Sequence, residues 1–361
     1  VAPDDETSHG APSGHAASVE SAGPRRAGAH AGRPESAFFS APDELVQAAR
    51  SATAPLPESA RLTDRLRVIV AVLGAMNPLR FDLSPEPVMR AGATTAGVMV
   101  DALVPEARGR ELVAEATGRE ETRDLARGEL SGAPGHGSTA SWHGSAPPGT
   151  QAPDGLAARL WPALTTRAQP PGLLGSVLVL MADHGLAAST IAARVAASAR
   201  AHPYAVISAG LGAVDAQYHG AASGLAYRFL AEAMPDPIGA LAERLRAGSG
   251  VPGFGHRVYQ ERDPRAELLF SILRAHGDAE QVLNTVDVIT AEMSRGETWP
   301  PNVDLALAAM MHAYDMRPDG GEAIFAIART IGWIAHALEE YQEPGMRFRP
   351  LGLYTGTRPA R

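Results

Sequence analysis

Residues 323–338 read AIFAIARTIGWIAHAL. Apolar side chains stand on nearly every side of a 3.6-residue period, and no alternation of period two runs through the stretch. A segment of this kind, set within 321–340, predicts a helix at the centre of a core. Arg329 disagrees with its surroundings. A guanidinium is almost never buried without an anion beside it. Glu322 and Glu339, seven and ten residues away along the helix, are out of reach. The partner is therefore an acid from elsewhere in the chain or the carboxylate of a ligand, and at this point both stay open.

Working outward, the flanking segments read the same way. Residues 60–77 carry an apolar stripe at Leu66, Val68, Ile69, Val72 and Leu73, and residues 173–200 are apolar early and Ala-rich later. Ile238, Leu241 and Leu245 share a helical face. Asp263-Pro264 is a helix start, Asp as N-cap and Pro at the first helical position, with Leu268, Leu269, Ile272 and Leu273 following on one side. Residues 303–314 form a further helix. No stretch shows sustained β-type alternation, so the expected class is all-α. Residues 1–36 and 128–155 lack periodicity and are rich in Gly, Pro, Ala and Ser, which predicts disorder. Five of the twelve His (His9, His15, His30, His136 and His143) lie in these two stretches without ligand spacing, so they read as solvated.

Composition narrows the chemistry. The chain has 361 residues, 45% of them hydrophobic, with no Cys and no Lys, so all 32 basic residues are Arg. Thiol nucleophiles, disulfides, Cys-ligated metals, Schiff bases and the phosphate-loop lysine are thereby excluded. The net charge of −8 argues against nucleic acid or an anionic membrane surface as a partner. The polar N-terminus lacks a signal core, and the apolar run from Leu173 to Ala182 is about half a membrane span, so a cytoplasmic protein is expected.

Four strings carry candidate chemistry. In Gly253-Phe254-Gly255-His256-Arg257-Val258-Tyr259, glycines flank a His in a loop between helices, so the backbone can approach a ligand closely while an imidazole points at it. Tyr218-His219-Gly220-Ala221-Ala222-Ser223-Gly224 sets a His before a helix start, where an anion or a developing oxyanion could be held; on the string alone a helix-entry turn is the simpler account. Asp183-His184-Gly185 interrupts an apolar stretch and reads first as a mutually satisfied polar pair. In Pro301-Asn302-Val303-Asp304, Asn302 suits an N-cap and Asp304 either the helix dipole or a general base. No metal-binding signature is present, and no metal is expected.

These strings, in this order, resemble the citrate synthase family. The order runs from Ala182-Asp183-His184 with Ala188-Ser189-Thr190, through His219-Gly220, to the Gly253–Tyr259 string with Asp263-Pro264-Arg265-Ala266. It continues with Pro301-Asn302-Val303-Asp304, Ala328-Arg329-Thr330-Ile331-Gly332-Trp333-Ile334-Ala335-His336, Arg349-Pro350 and Leu353-Tyr354-Thr355-Gly356. The match is weak over residues 60–125 and strong over 160–361. The resemblance implies an all-α, two-domain homodimer. Its large domain would take residues 41–218 and 312–361, with an insertion at 128–155, and its small domain residues 219–311, after a disordered segment 1–40. It implies condensation of acetyl-CoA with oxaloacetate and thioester hydrolysis to citrate, with no cofactor beyond the CoA thioester as substrate.

By that resemblance Asp304 takes a methyl proton from acetyl-CoA, His219 holds the enol(ate) oxygen, and His256 polarises the keto carbonyl of oxaloacetate. His184, Arg265 and Arg329 bind oxaloacetate, Arg349 reaches into the other subunit's site, and Val251, Pro252, Gly253, Phe254 and Gly255 belong to the CoA pocket. A 2-methylcitrate synthase using propionyl-CoA, or a non-catalytic relative binding CoA or a dicarboxylate, are the alternatives. Physical chemistry is consistent with the first: a weakly acidic carbon needs a base, a preorganised oxyanion donor and a dry site, and no covalent nucleophile.

Overall fold

The computed structural model describes residues 38–104, 155–216, 219–295, 299–353 and 355–357. Among them the chain forms thirteen α-helices and a single isolated β-bridge, Phe254 with Pro301. In chain order these are α1 (Asp43–Thr53), α2 (Leu62–Met76), α3 (Pro85–Leu103), α4 (Leu156–Leu164), α5 (Leu173–Ala182), α6 (Ala188–Ser198) and α7 (Pro203–Val214). Then follow α8 (Ala222–Ala233), α9 (Pro237–Arg246), α10 (Pro264–His276), α11 (Glu280–Met293), α12 (Val303–Ala313) and α13 (Gly320–Gln342). The expected all-α class is what the chain adopts. Most of residues 1–40 and 128–155 fall outside the described residues. Phe39, inside the first of these segments, is docked, its carbonyl accepting from Arg159 at 3.0 Å.

Local sequence sets the helix starts. α7, α9 and α10 each begin with Pro at the first position, after His202, Asp236 and Asp263, whose side chains accept a backbone N–H of the first turn. Pro cannot donate a hydrogen bond, and the first N–H of a helix has no intrahelical acceptor to lose. α10 ends on Gly277 in the left-handed conformation, φ 78°.

The expectation for 321–340 holds. α13 runs through the core against α3, α5, α6 and α7, and Trp333 is fully buried. Its ring lies on Gly210 of α7, where an added Cβ would stand 2.5 Å from the indole. A second set of helices, α8 to α12, packs around α12, which contacts α8, α10, α11 and α13. The two sets meet along α12–α13, α8–α13 and α5–α10, and it is at these seams that the candidate residues gather.

The structure adds detail to three of the helical segments. Residues 173–200 form two helices, not one, because the chain leaves helical geometry at Asp183 (φ −143°, ψ 153°) and Gly185 takes φ 57°. Ile238 and Leu245 are exposed, and of that stripe only Leu241 enters the core: α9 lies at the surface, and its burial ends one turn from either side of Leu241. In α10, Leu269 and Leu273 are buried but Leu268 is exposed.

Candidate active site

α12 opens the site. Its first three N–H groups are held by side chains: Asp263 Oδ2 accepts from Val303 N at 3.0 Å, and Asn302 Oδ1 accepts from Asp304 N and Leu305 N at 3.0 and 3.3 Å. The backbone under Asp304 is thereby fixed. Its carboxylate makes no hydrogen bond or ion pair with the described residues. Burial pushes this carboxyl up to about 6; the charge of Arg265 opposes the rise and that of Asp263 adds to it.

The segment carrying His256 is laced to the start of α12. Gly255 N donates to Pro300 O at 2.8 Å, Asn302 N to Gly253 O at 2.9 Å and Asn302 Nδ2 to Gly255 O at 2.8 Å. Gly253 has φ 85° and faces Leu305, whose Cβ would stand 2.7 Å from an added methyl. Only glycine combines that dihedral with that approach. The string read as a loop between helices is thus also a strap on α12, with Val251 and Phe254 buried.

His256 Nδ1 accepts from the backbone N–H of both Val258 (3.0 Å) and Tyr259 (3.2 Å). This assigns the proton of the neutral ring to Nε2. Burial, then the charge of Arg265, lower its pKa, so the neutral form prevails at pH 7. Nε2 stands 3.3 Å from Arg265 Nη2, so two N–H donors converge without an acceptor between them. Arg265 is itself paired. Asp263, 1% exposed, accepts from Arg265 Nε at 3.0 Å and from Nη2 at 2.8 Å. One buried acid therefore braces Arg265 and caps α12.

His184 faces this group across α5–α10. Its Nε2 is 3.1 Å from Tyr259 Oη, and its ring centroid is 5.2 Å from that of His256. Burial, then the charges of Arg265, His256 and Arg329, push its pKa down to about 4. Asp183 does not pair with His184 as the sequence suggested. It accepts from His336 Nε2 at 3.1 Å, because the extended backbone at 183 sends successive side chains to opposite sides.

His219 completes the cluster from the turn before α8. Its Nε2 meets Ser189 Oγ of α6 at 2.8 Å. The buried Ser189 hydroxyl has no other acceptor among the described residues, so it donates to Nε2 and leaves the ring proton on Nδ1. Burial, then Arg329, keep His219 below its ordinary pKa. The imidazole stands edge-on to Phe325, and the same phenyl ring lies 4.6 Å beneath the Arg329 guanidinium carbon.

Arg329 resolves part of the question its sequence raised. It is 1% exposed, and Nε donates to Met181 O at 2.9 Å, but no carboxylate of the described residues pairs with it and Nη1 is buried without a partner. Burial, against the partial support of Asp183, brings its pKa down to about 10, so it stays charged at neutral pH. Arg349 lies apart, exposed in the segment after α13.

The structure therefore brings together His184, His219, His256, Arg265, Arg329 and Asp304, and leaves Arg349 outside. Ser189, Tyr259, Asp263 and Phe325 join them without having been singled out as site residues. All four stood inside quoted strings; nothing in the order of residues pairs Ser189 with His219 or Tyr259 with His184, 30 and 75 positions apart, and Asp263 was read only as a helix cap. Chemically the cluster offers one high-pKa carboxylate, two neutral imidazoles with assigned donor protons, and a buried cation lacking its anion. Among the described residues no group of three or more His, Asp or Glu is placed to hold a metal ion, and no helix is long and apolar enough to cross a membrane.

Residues 38–351 match the family profile described as "Citrate synthase, C-terminal domain". A citrate synthase of Haloferax volcanii is 37% identical over 185 residues, 50% of this chain and 48% of that protein. A 2-methylcitrate synthase of Mycobacterium tuberculosis is 31% identical over 185 residues, 50% and 47% of the two chains. The chain thus spans about half the length of the curated relatives it matches. Among solved structures, the citrate synthase of Thermoplasma acidophilum, determined with carboxymethyl coenzyme A and oxaloacetate, superposes with a TM-score of 0.65 at 21% identity, covering 91% of this chain and 80% of that one. The enzyme from Pyrobaculum aerophilum gives 0.63 at 21% identity. At that identity the likeness concerns the fold, and with the profile match it leads to one conclusion: this chain belongs to the citrate synthase family.

Proposed function

We propose that the chain condenses acetyl-CoA with oxaloacetate and hydrolyses the resulting thioester to citrate and CoA. The observation that carries this reading is Arg329, a buried guanidinium with a free Nη1 beside the imidazoles of His184 and His219. A substrate carboxylate supplies the missing anion, and Arg presents the planar fork that suits it.

The steps follow from the donors. Asp304 removes a proton from the acyl methyl group. His219 Nδ1–H donates to the thioester oxygen as it gains charge, held in aim by Ser189. The nucleophilic carbon attacks the keto carbon of oxaloacetate, whose oxygen accepts from His256 Nε2–H. Arg329, His184 and the outer face of Arg265 hold the carboxylates. Water then cleaves the thioester and releases CoA. Val251, Pro252, Gly253, Phe254 and Gly255 provide the backbone against which the CoA is held. The active form is a homodimer in which Arg349 completes the partner's site.

A 2-methylcitrate synthase activity is the second reading, favoured by the relatives of that name at 31–33% identity. One methylene in the acyl pocket separates the two, a difference of about 1–3 kcal/mol. Release of free CoA, measured with acetyl-CoA and with propionyl-CoA in the presence of oxaloacetate, tests both. Faster turnover (kcat/KM) with acetyl-CoA supports the first and faster turnover with propionyl-CoA the second. No CoA release with either overturns both.

A further inference from the structure

His184 lies at the meeting of two structural supports, and the second reaches beyond the catalytic cluster. On one side its ring touches Tyr259 and His256. On the other, the chain that delivers it, residues 181–183, lies along a single face of α13. Arg329, Gly332 and His336 stand at i, i+3 and i+7 and share that face. Each meets one residue of the approaching chain, in order. Arg329 Nε donates to Met181 O at 2.9 Å. Gly332 lies under Ala182, whose carbonyl oxygen an added Cβ would strike. His336 Nε2 donates to Asp183 Oδ1 at 3.1 Å.

The third contact has its own brace. Arg194 Nη1 donates to His336 Nδ1 at 2.7 Å, which leaves the ring proton on Nε2, aimed at Asp183. Arg194 is anchored by Glu339 at 2.7 Å and by the fully buried Glu340 at 3.1 Å. The other oxygen of Asp183 accepts from Gly185 N at 3.4 Å, around a turn that Gly185 enters at φ 57°. The carboxylate of Asp183 thus joins α13 to the turn that presents His184. A helix end normally leaves its last carbonyls to water, but here the Met181 carbonyl goes to a side chain of the core helix.

We propose that Gly332 and His336 are positioning residues for His184: with Arg329 they hold residues 181–183 in register on α13 and so set where the imidazole stands in the dicarboxylate pocket. Neither touches substrate. The proposal rests on the condensation reading for its kinetic test, and a binding measurement separates the two.

The variants are His336→Leu, His336→Gln and Gly332→Ala. Gln reproduces both roles of the ring, accepting from Arg194 through Oε1 and donating to Asp183 through Nε2, whereas Leu reproduces neither. His336→Leu is expected to raise the KM for oxaloacetate about tenfold while the KM for the acyl-CoA changes less than about twofold, since a small displacement of one ligand acts on one substrate. His336→Gln is expected to recover most of that loss. Gly332→Ala is expected to repeat the oxaloacetate effect; where that variant does not fold, the His336 pair decides alone. An unchanged oxaloacetate KM in His336→Leu, equal losses for both substrates, or a Gln variant no better than Leu overturns the proposal. The rise in Tm on adding oxaloacetate, without acyl-CoA, is measured in parallel. Wild type that shows this rise but releases no CoA refutes the condensation reading; the proposal is then decided by whether His336→Leu diminishes the rise and His336→Gln restores it, and a rise equal in all three overturns it.

Discussion

Asp304 owes its basicity to what does not touch it. A carboxylate at the start of a helix is ordinarily bonded to N–H groups and strongly acidic. Here Asn302 and Asp263 take those donors, Asp263 also pairs Arg265, and Asp304 is left half-buried with its charge unsupported, its carboxyl near 6. Two consequences follow. As a base Asp304 works only when ionised, so kcat/KM is expected to fall as the pH drops through about 6. Its raised folded-state pKa also means that folding favours the protonated form. That contribution to stability is present below about pH 4 and is lost as the pH rises past about 6. Asp304→Asn removes the titration. The variant is expected to lose about 10²–10⁴ in kcat and yet to be more stable than wild type at pH 7.5 by about 1–3 kcal/mol, with no gain at pH 4. Denaturant titrations at the two pH values and the pH profile of CoA release check both; undiminished turnover removes Asp304 from the mechanism.

At the scale of elements, the strap 253–255 and the start of α12 are one unit. Asn302 is its fastener, since its side chain caps the helix and its Nδ2 holds Gly255 O. Asn302→Ala is expected to lower stability by about 1–3 kcal/mol, from the lost cap and the exposed carbonyl. Because the same lacing fixes the strap that carries His256 to the helix that carries Asp304, kcat is expected to fall further than the two KM values rise. Chemical denaturation and initial-rate kinetics measure the two effects, and a kcat equal to wild type would show that the strap is not needed for alignment. The caps at Asp263 and Asn302 were legible in the sequence because capping is local, a matter of two or three residues. The lacing was not, because it joins one side chain and several backbone groups to a segment some 47 positions away, and nothing local marks such a pairing. The same limit explains α9, where periodicity showed a stripe at Ile238, Leu241 and Leu245 but not how little of it a neighbour covers. Arg329 shows the opposite case: an apolar helix with one cation stated the problem of the site in the sequence itself, and only packing could show that no acid among the described residues answers it.

Over the whole molecule, the site is left without Arg349. After α13 the chain folds back: Met346 N donates to Ser198 O at 2.8 Å, and Arg347 pairs with the buried Glu340 at 2.6 Å. Beyond this anchor the segment carries Arg349 into solvent together with Leu351, 100% exposed, and Leu353, 85% exposed. Apolar side chains this open are costly to hydrate, and they flank Arg349, which stands outside the cluster. In the proposed homodimer a second copy covers them and receives Arg349, so each site is built from two chains. Complementation distinguishes this from a site built by one chain. Arg349→Ala and His256→Ala homodimers are each expected to be nearly inactive. In a heterodimer of the two, isolated through different affinity tags, one site recovers both residues and the other loses both. Turnover of about half the wild-type rate is then expected, as two-fold symmetry requires. If each site used its own Arg349, both sites of the heterodimer would lack one residue, and purified heterodimers would stay as inactive as their parents; that result would end the shared-site reading.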